Sequence, residues 1–201
     1  MKYNATAFVF YHVFSHLLKQ YAKEHPLTLD FHKIKKEYSN MIYRTPELDN
    51  DMKSNLIGAC YFFSLAKTVP EMTPDTLDDI IQQGLYSDLM WKLHKGQRKK
   101  GTMFTDKVQD KKVKEAKLSQ KSTNIMDWTF TYEKKKDEFY MTYTRCGLCE
   151  LARREHMQDY LPCMCKMDYG KYKMAGGILY RNKTLANGDD CCDFHVVRDK
   201  Q

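Results

Sequence analysis

The sequence predicts an α+β fold: an N-terminal helical region, then a four-stranded antiparallel sheet in the order ββ-αα-ββ, covered by helices. Three observations predict it. Apolar residues recur at helical spacing through the first hundred positions. Residues 128–132 and 139–143 alternate at period two on either side of a charged turn. Two helical stretches then separate that hairpin from two more short strands. With 201 residues, of which 42% are hydrophobic and 13% aromatic, the chain can bury a core without disulfides or metal. That composition also excludes disorder over most of the length.

Residues 7–22 carry Phe8, Phe10, Tyr11, Phe14, Leu17, Leu18 and Tyr21, apolar around most of a helix. Such a helix is expected to be buried in a core, or in an interface that makes the protein a homo-oligomer. A second helix is expected over 30–43, from Phe31, Ile34, Tyr38 and Met41 or Ile42, with Pro46 after its end. A third covers 51–67. Thr73 reads as the N-cap and Pro74 as the first-turn proline of a fourth, whose first turns are loaded by Asp75, Asp78 and Asp79 and which Gly84 ends. A short amphipathic piece follows, with Leu85, Leu89, Met90 and Leu93.

From 95 to 122 the chain turns basic. Lys95, Arg98, Lys99, Lys100, Lys107, Lys111, Lys112, Lys114, Lys117 and Lys121 face only Asp106, Asp110 and Glu115. This is an exposed helix or a linker, and it sets the expected division: a helical region 1–122 and a cysteine-rich α+β domain 123–201. In the second domain the hairpin turns at Lys134-Lys135-Lys136-Asp137, helices cover 148–160 and 163–174, and Gly176-Gly177 breaks the chain. Strands at 178–181 and 193–197 then flank the turn Asn187-Gly188-Asp189.

The formal charge is +7. The basic stretch has no interleaved aromatics and no nucleic-acid fold signature, so a solvated face outranks a nucleic-acid partner. No run approaches the roughly 20 apolar residues that span a bilayer. Residues 7–18 do not make a secretory leader either, being interrupted by His12, Ser15 and His16 with no small-residue cleavage site after them. Phosphate-binding glycine loops and GxSxG elbows are absent from the sequence. Seven cysteines, an odd and clustered set, fit a reducing cytoplasm, where thiols serve as metal ligands, redox groups or nucleophiles.

Cys146-x-x-Cys149 and Cys163-x-Cys165 are the densest candidates. Four thiolates could hold a tetrahedral zinc, although the second pair is closer than zinc fingers use, and a cysteine is also a common core residue. Cys165 and Asp168 would share a helix face. A carboxylate there raises the thiol pKa, but it can orient a partner or position water. In Asp189-Asp190-Cys191-Cys192-Asp193 the adjacent thiols point to opposite faces of a strand, and Asp193 needs a partner, for which Arg145 and Arg181 are the candidates. His12 and His16, four apart, are expected as core or interface residues rather than zinc ligands. His156 and His195 lie near the cysteines as available acids or bases.

The pattern Cys146 … Cys165-x-x-Asp168 … Arg181-x-x-Thr184-Leu185-Ala186-x-Gly188 … Cys192-Asp193-Phe194 resembles the L-2-amino-thiazoline-4-carboxylic acid hydrolase family. The resemblance implies a small-molecule substrate and hydrolytic opening of a cyclic, amidine-like ring to a carbamoyl cysteine. It makes Cys146, Cys165, Asp168, Thr184, Gly188, Cys192 and Asp193 site candidates and leaves out Cys149, Cys163 and Cys191. Cys146 is the expected nucleophile, because it follows a strand and opens a helix whose N-terminus favours thiolate. Asp168 or Asp193 handles the proton beside Cys192. Arg181 or Arg145 holds the substrate carboxylate, next to Thr184 and Gly188. The strand and helix order is also similar to vinyl-reductase-like small-ligand-binding domains. That likeness implies the alternative: a non-enzymatic module holding zinc or a small ligand through Cys146, Cys165 and Cys192.

Overall fold

Three of the first four helices begin where the sequence supplies a cap. Helix α1 (Ala5–Tyr21) starts after Asn4, whose side chain accepts the Ala7 N–H at 3.0 Å. Helix α2 (Phe31–Arg44) starts after Asp30, which accepts the His32 and Lys33 N–H groups at 3.0 Å. Helix α3 (Lys53–Thr68) has no side-chain cap, and helix α4 (Pro74–Leu85) has Thr73 Oγ1 on the Thr76 N–H at 3.1 Å. The computed structural model describes residues 1–88, 90–92, 96, 98 and 101–200. Leu89 and Leu93 of the expected amphipathic piece, and Lys95, Lys99 and Lys100 of the basic stretch, lie outside the described residues.

The chain forms two compact units, neither contiguous in sequence: Met1–Gly84 with Gly147–Met164, and Leu85–Cys146 with Cys165–Gln201. The expected boundary at 122 falls inside the second.

In the first unit α3 is the central helix, buried on every side from Leu56 to Leu65. Helix α1 is buried on one face only, through Ala7, Tyr11, Ser15, Leu18 and Tyr21. Phe8 and Val9 are 53% and 56% exposed, and His12 and His16 are exposed beside them. Of the two expected burials, core or interface, the core does not cover this stripe, and the two histidines are not core residues. Their stripe is turned away from the face that meets α3. Helix α6 (Gly147–Glu155) ends on the buried Glu155. That carboxylate receives Arg44 Nε and Nη2, each at 2.7 Å, and Lys67 Nζ at 2.6 Å.

In the second unit strands β1 (Thr129–Lys135), β2 (Glu138–Arg145), β3 (Gly177–Tyr180) and β4 (Cys192–Arg198) form one antiparallel sheet in the order β1-β2-β4-β3. The charged turn is shorter than expected. Lys134 and Lys135 stay in the ladder opposite Phe139 and Glu138, which leaves Lys136-Asp137 as a two-residue turn with Asp137 at φ 59°. Helix α5 (Asp106–Ser119) carries the described core of the basic stretch and lies along β1. Ser119 Oγ accepts the Phe130 N–H at 3.1 Å, and Gln120 donates to the Phe130 carbonyl at 2.7 Å. Helix α7 (Leu161–Met174) belongs to this unit from Cys165 onward and ends before Gly176, whose φ of 87° admits the turn into β3. Strand alternation puts Phe139, Met141, Leu179, Cys192, Phe194 and Val196 on one buried face, against which Tyr132, Tyr143 and Tyr172 pack. No described helix is long and apolar enough to cross a membrane.

Burial pushes the Glu155 carboxyl up, but the hydrogen bonds from Arg44 and Lys67 outweigh it and hold the group below the usual carboxylate range. A carboxyl depressed by folding stabilises above its unfolded pKa, and that contribution is lost as pH falls through the folded value. Glu155→Ala leaves Arg44 and Lys67 without this partner. Both cations keep part of their surface in water and Arg44 keeps Glu37, so in urea titrations at pH 7 the substitution should cost about 1–3 kcal/mol. A loss no larger than a surface ion pair gives would show that the pair of cations does not depend on Glu155.

Candidate active site

The site of the second unit is built from the end of β2, the body of α7 and the start of β4. Tyr143 is the last aromatic of the inward row on β2, and Cys192 stands opposite it in the ladder. Arg145 ends the strand and Cys146 follows. On α7, Cys165, Asp168 and Tyr172 recur at i, i+3 and i+7, one face of a helix. Arg181 follows β3.

Arg181 ties these pieces together. Its side chain is 4% exposed, and Nη1 donates to Asp168 Oδ2 at 3.0 Å while Nη2 donates to the Cys165 carbonyl at 2.9 Å. The guanidinium carbon lies 5.0 Å from the Phe194 ring centre and 5.1 Å from that of Tyr169. Its Nε is buried with no hydrogen-bond partner among the described residues.

The three thiols singled out by the sequence come together around this pair. Burial pushes Cys165 up to about 12, and Cys146, Asp168 and Cys192 add to that rise while Arg181 opposes it. Cys192 is pushed up to about 11 by burial, against the Leu185 N–H that its sulfur accepts at 3.2 Å, with Cys146 and Asp168 again near enough to raise it. Both are protonated at neutral pH. Burial likewise raises the Asp168 carboxyl, with Lys171 and Arg181 pulling the other way. Asp168 nonetheless keeps 27% of its side-chain surface open. Asp168 is thus desolvated and still partly open to solvent. Tyr143, Tyr172 and Cys165 share that character: each is only half-buried, yet burial dominates its shift. Cys146 is half-buried beside them.

The other predicted residues are engaged in local structure. Asp193 accepts the Asn182 and Lys183 N–H groups at 2.9 and 2.5 Å, the carboxylate partner it needed being backbone rather than arginine. Thr184 caps the short turn Leu185–Asn187 by accepting the Asn187 N–H at 3.2 Å, and its own N–H donates to Asp189 at 2.7 Å. Gly188 closes that turn at φ 87°. Arg145 gives Nη2 to the Ser122 carbonyl at 2.7 Å. Cys163 donates to the Pro74 carbonyl at 3.2 Å within the first unit. His195 sits on the opposite face of the sheet, stacked on Tyr140 and 2.7 Å from Glu138. Among the described residues no three His, Cys, Asp or Glu side chains are arranged to hold a metal ion, so the zinc alternative lacks a ligand set.

Sequence reasoning missed Tyr143 and Tyr172. Two signals were present: period two puts Tyr143 on the face of Phe139 and Met141, and Tyr172 lies four residues beyond Asp168 on α7.

The family described as L-2-amino-thiazoline-4-carboxylic acid hydrolase matches residues 54–196. No curated protein and no solved structure matches the chain.

The raised thiols make a prediction independent of any substrate. At pH 7.5 iodoacetamide should modify Cys165 and Cys192 about a hundredfold or more slowly than an unperturbed thiol, and tenfold faster per pH unit up to pH 10. Peptide mass spectrometry reads both sites, and rapid labelling of either at neutral pH would contradict their protonated state.

Proposed function

Since the chain belongs to the L-2-amino-thiazoline-4-carboxylic acid hydrolase family, we propose that it hydrolyses a small cyclic compound at a C–N or C–S bond, with that thiazoline as the model substrate. The supporting observation is that Arg181 joins Asp168 to the Cys165 carbonyl, with Cys146 and Cys192 near enough to Cys165 to raise its thiol. Thiols clustered in this way suit a reducing cytosol, where we place the reaction.

Carbon 2 of the ring is the electrophile. Cys146 is the nucleophile in this reading, because the two deeper thiols hold their protons too tightly. As its sulfur adds to carbon 2, the thiol proton passes to Asp168 Oδ1. The ring C–S bond then breaks, and the departing sulfur takes that proton. Water adds to the same carbon and expels Cys146, leaving the carbamoyl product. Arg181 holds Asp168 rather than the substrate carboxylate. That carboxylate falls to Arg145, whose Nε is buried with no hydrogen-bond partner among the described residues. Cys165 and Cys192 form the protonated wall of the site.

The purified chain, incubated with L-2-amino-thiazoline-4-carboxylate, should release a thiol and N-carbamoyl cysteine, read by thiol titration and mass spectrometry. Cys146→Ser and Asp168→Asn should each lower kcat/KM by about 100-fold or more, with circular dichroism unchanged. Cys192→Ser should stay within about tenfold of the parent. Full turnover by Cys146→Ser would remove that residue from the mechanism. Binding without any turnover by the parent would favour the ligand-binding module instead.

A further inference from the structure

The first unit holds a cavity of about 400 Å³, partly open to solvent, between helix α1 and the start of α2. Tyr11, His12, Ser15, His16 and Lys19 line it along one face of α1, and Phe31 lines it from the first position of α2. None of these residues belongs to the candidate active site, and all precede residue 54, where the family match begins. The volume is that of a small-molecule site.

Most of the lining is held in place by the fold itself. The Tyr11 hydroxyl donates to the Phe31 carbonyl at 3.0 Å, and the Ser15 hydroxyl is hydrogen-bonded to that of Tyr61 at 3.1 Å. The His12 ring packs on Phe8 at 4.2 Å and meets Tyr11 edge-on at 5.3 Å between ring centres. Lys19 Nζ stands 4.7 Å from the centre of the Phe31 ring, and Lys35 Nζ stands 5.6 Å from that of Tyr11. Neither lysine has a carboxylate partner among the described residues. No acidic residue lines the cavity, and Asp30, next to Phe31, is occupied by the His32 and Lys33 N–H groups.

The groups left open are therefore three donors, His12, His16 and Lys19, all exposed, beside two aromatic rings. Two ammonium groups without an anion make the local potential positive, so the complementary ligand is negative. A metal ion is disfavoured by the same charge, and two imidazoles alone are an incomplete ligand set. The rings call for an apolar body that can lie flat on them.

We propose that this cavity is a second binding site, for a small organic anion that carries a carboxylate on a flat apolar body. The carboxylate lies on Lys19 Nζ and accepts imidazole N–H groups from His12 and His16. The body packs against Tyr11 and Phe31. A neutral compound of the same shape loses the charge-assisted bonds and binds less tightly.

Calorimetric titration of the full chain with 2-naphthoate and with 2-naphthamide tests it, the two probes matching in shape and differing in charge. The parent should bind naphthoate about tenfold or more tightly than the amide. Lys19→Gln should weaken naphthoate by about tenfold and leave the amide within about twofold, with the melting temperature unchanged because Lys19 is exposed. Lys107→Gln, exposed on α5, should alter neither affinity. In NMR spectra naphthoate should shift the imidazole resonances of His12 and His16 and leave that of His195 in place. Equal or tighter binding of the amide by the parent overturns the proposal. So does an affinity for naphthoate that Lys19→Gln leaves unaltered, since the carboxylate is then held elsewhere, Arg145 included. Absence of binding at about 1 mM naphthoate overturns it as well.

Discussion

The site hangs on one guanidinium. Arg181 ties α7, through Asp168 and the Cys165 carbonyl, to β4, through the ring of Phe194. Because its side chain is almost wholly buried, its charge must be matched in place, and Asp168 is the carboxylate that matches it. The reverse also holds. Burial pushes the Asp168 carboxyl toward neutrality, and Arg181 is one of the two cations that resist. Each member of the pair would be an uncompensated charge without the other, so the position of the Asp168 carboxylate is fixed by where Arg181 can sit.

That constraint also sets the environment of the two deeper sulfurs. Thiolates collect around a metal when the site can carry their negative charge. Here a carboxylate already occupies the centre and its cation is committed to it. Low dielectric and a neighbouring carboxylate act in the same direction on a thiol, and Cys165 and Cys192 hold their protons as a result. Cys146 differs by position rather than by residue type. It lies beyond the end of β2, where the chain passes into α6, and not within the packed helix or strand that holds the other two.

Much of the fold was legible because caps and periodicity act locally. Asn4, Asp30 and Thr73 mark helix starts through their own hydrogen bonds, and the alternation of residues 139–143 is the alternation of the sheet face. What was not legible depends on contacts distant in sequence. The aromatic count of α1 suggested burial all round, whereas the helix meets α3 along one face and leaves Phe8 and Val9 outward. The linear division at 122 had no access to a unit in which 147–164 packs with the N-terminal helices. Tyr143 and Tyr172 read as ordinary core aromatics, because nothing in the sequence reveals which rings will stand near Asp168.

The string from Thr184 to Phe194 shows why residue types can point to a site while misassigning roles. Asp193, Thr184 and Gly188 were expected to touch substrate, and in the structure they hold the loop. Asp193 takes the N–H groups of Asn182 and Lys183, the two residues that follow Arg181. Thr184 and Asp189 close the next turn, and Gly188 permits it. The same loop lays the Leu185 N–H on Cys192. A carboxylate that fixes the backbone on which Arg181 stands acts on Asp168 at one remove, through the stem of the arginine rather than by contact with a ligand. A spacing pattern in sequence is the same whether a residue reaches the candidate site or braces the residue that does. Only the hydrogen-bond partners separate the two, and here they assign the bracing to the loop and the partly open carboxylate to the helix.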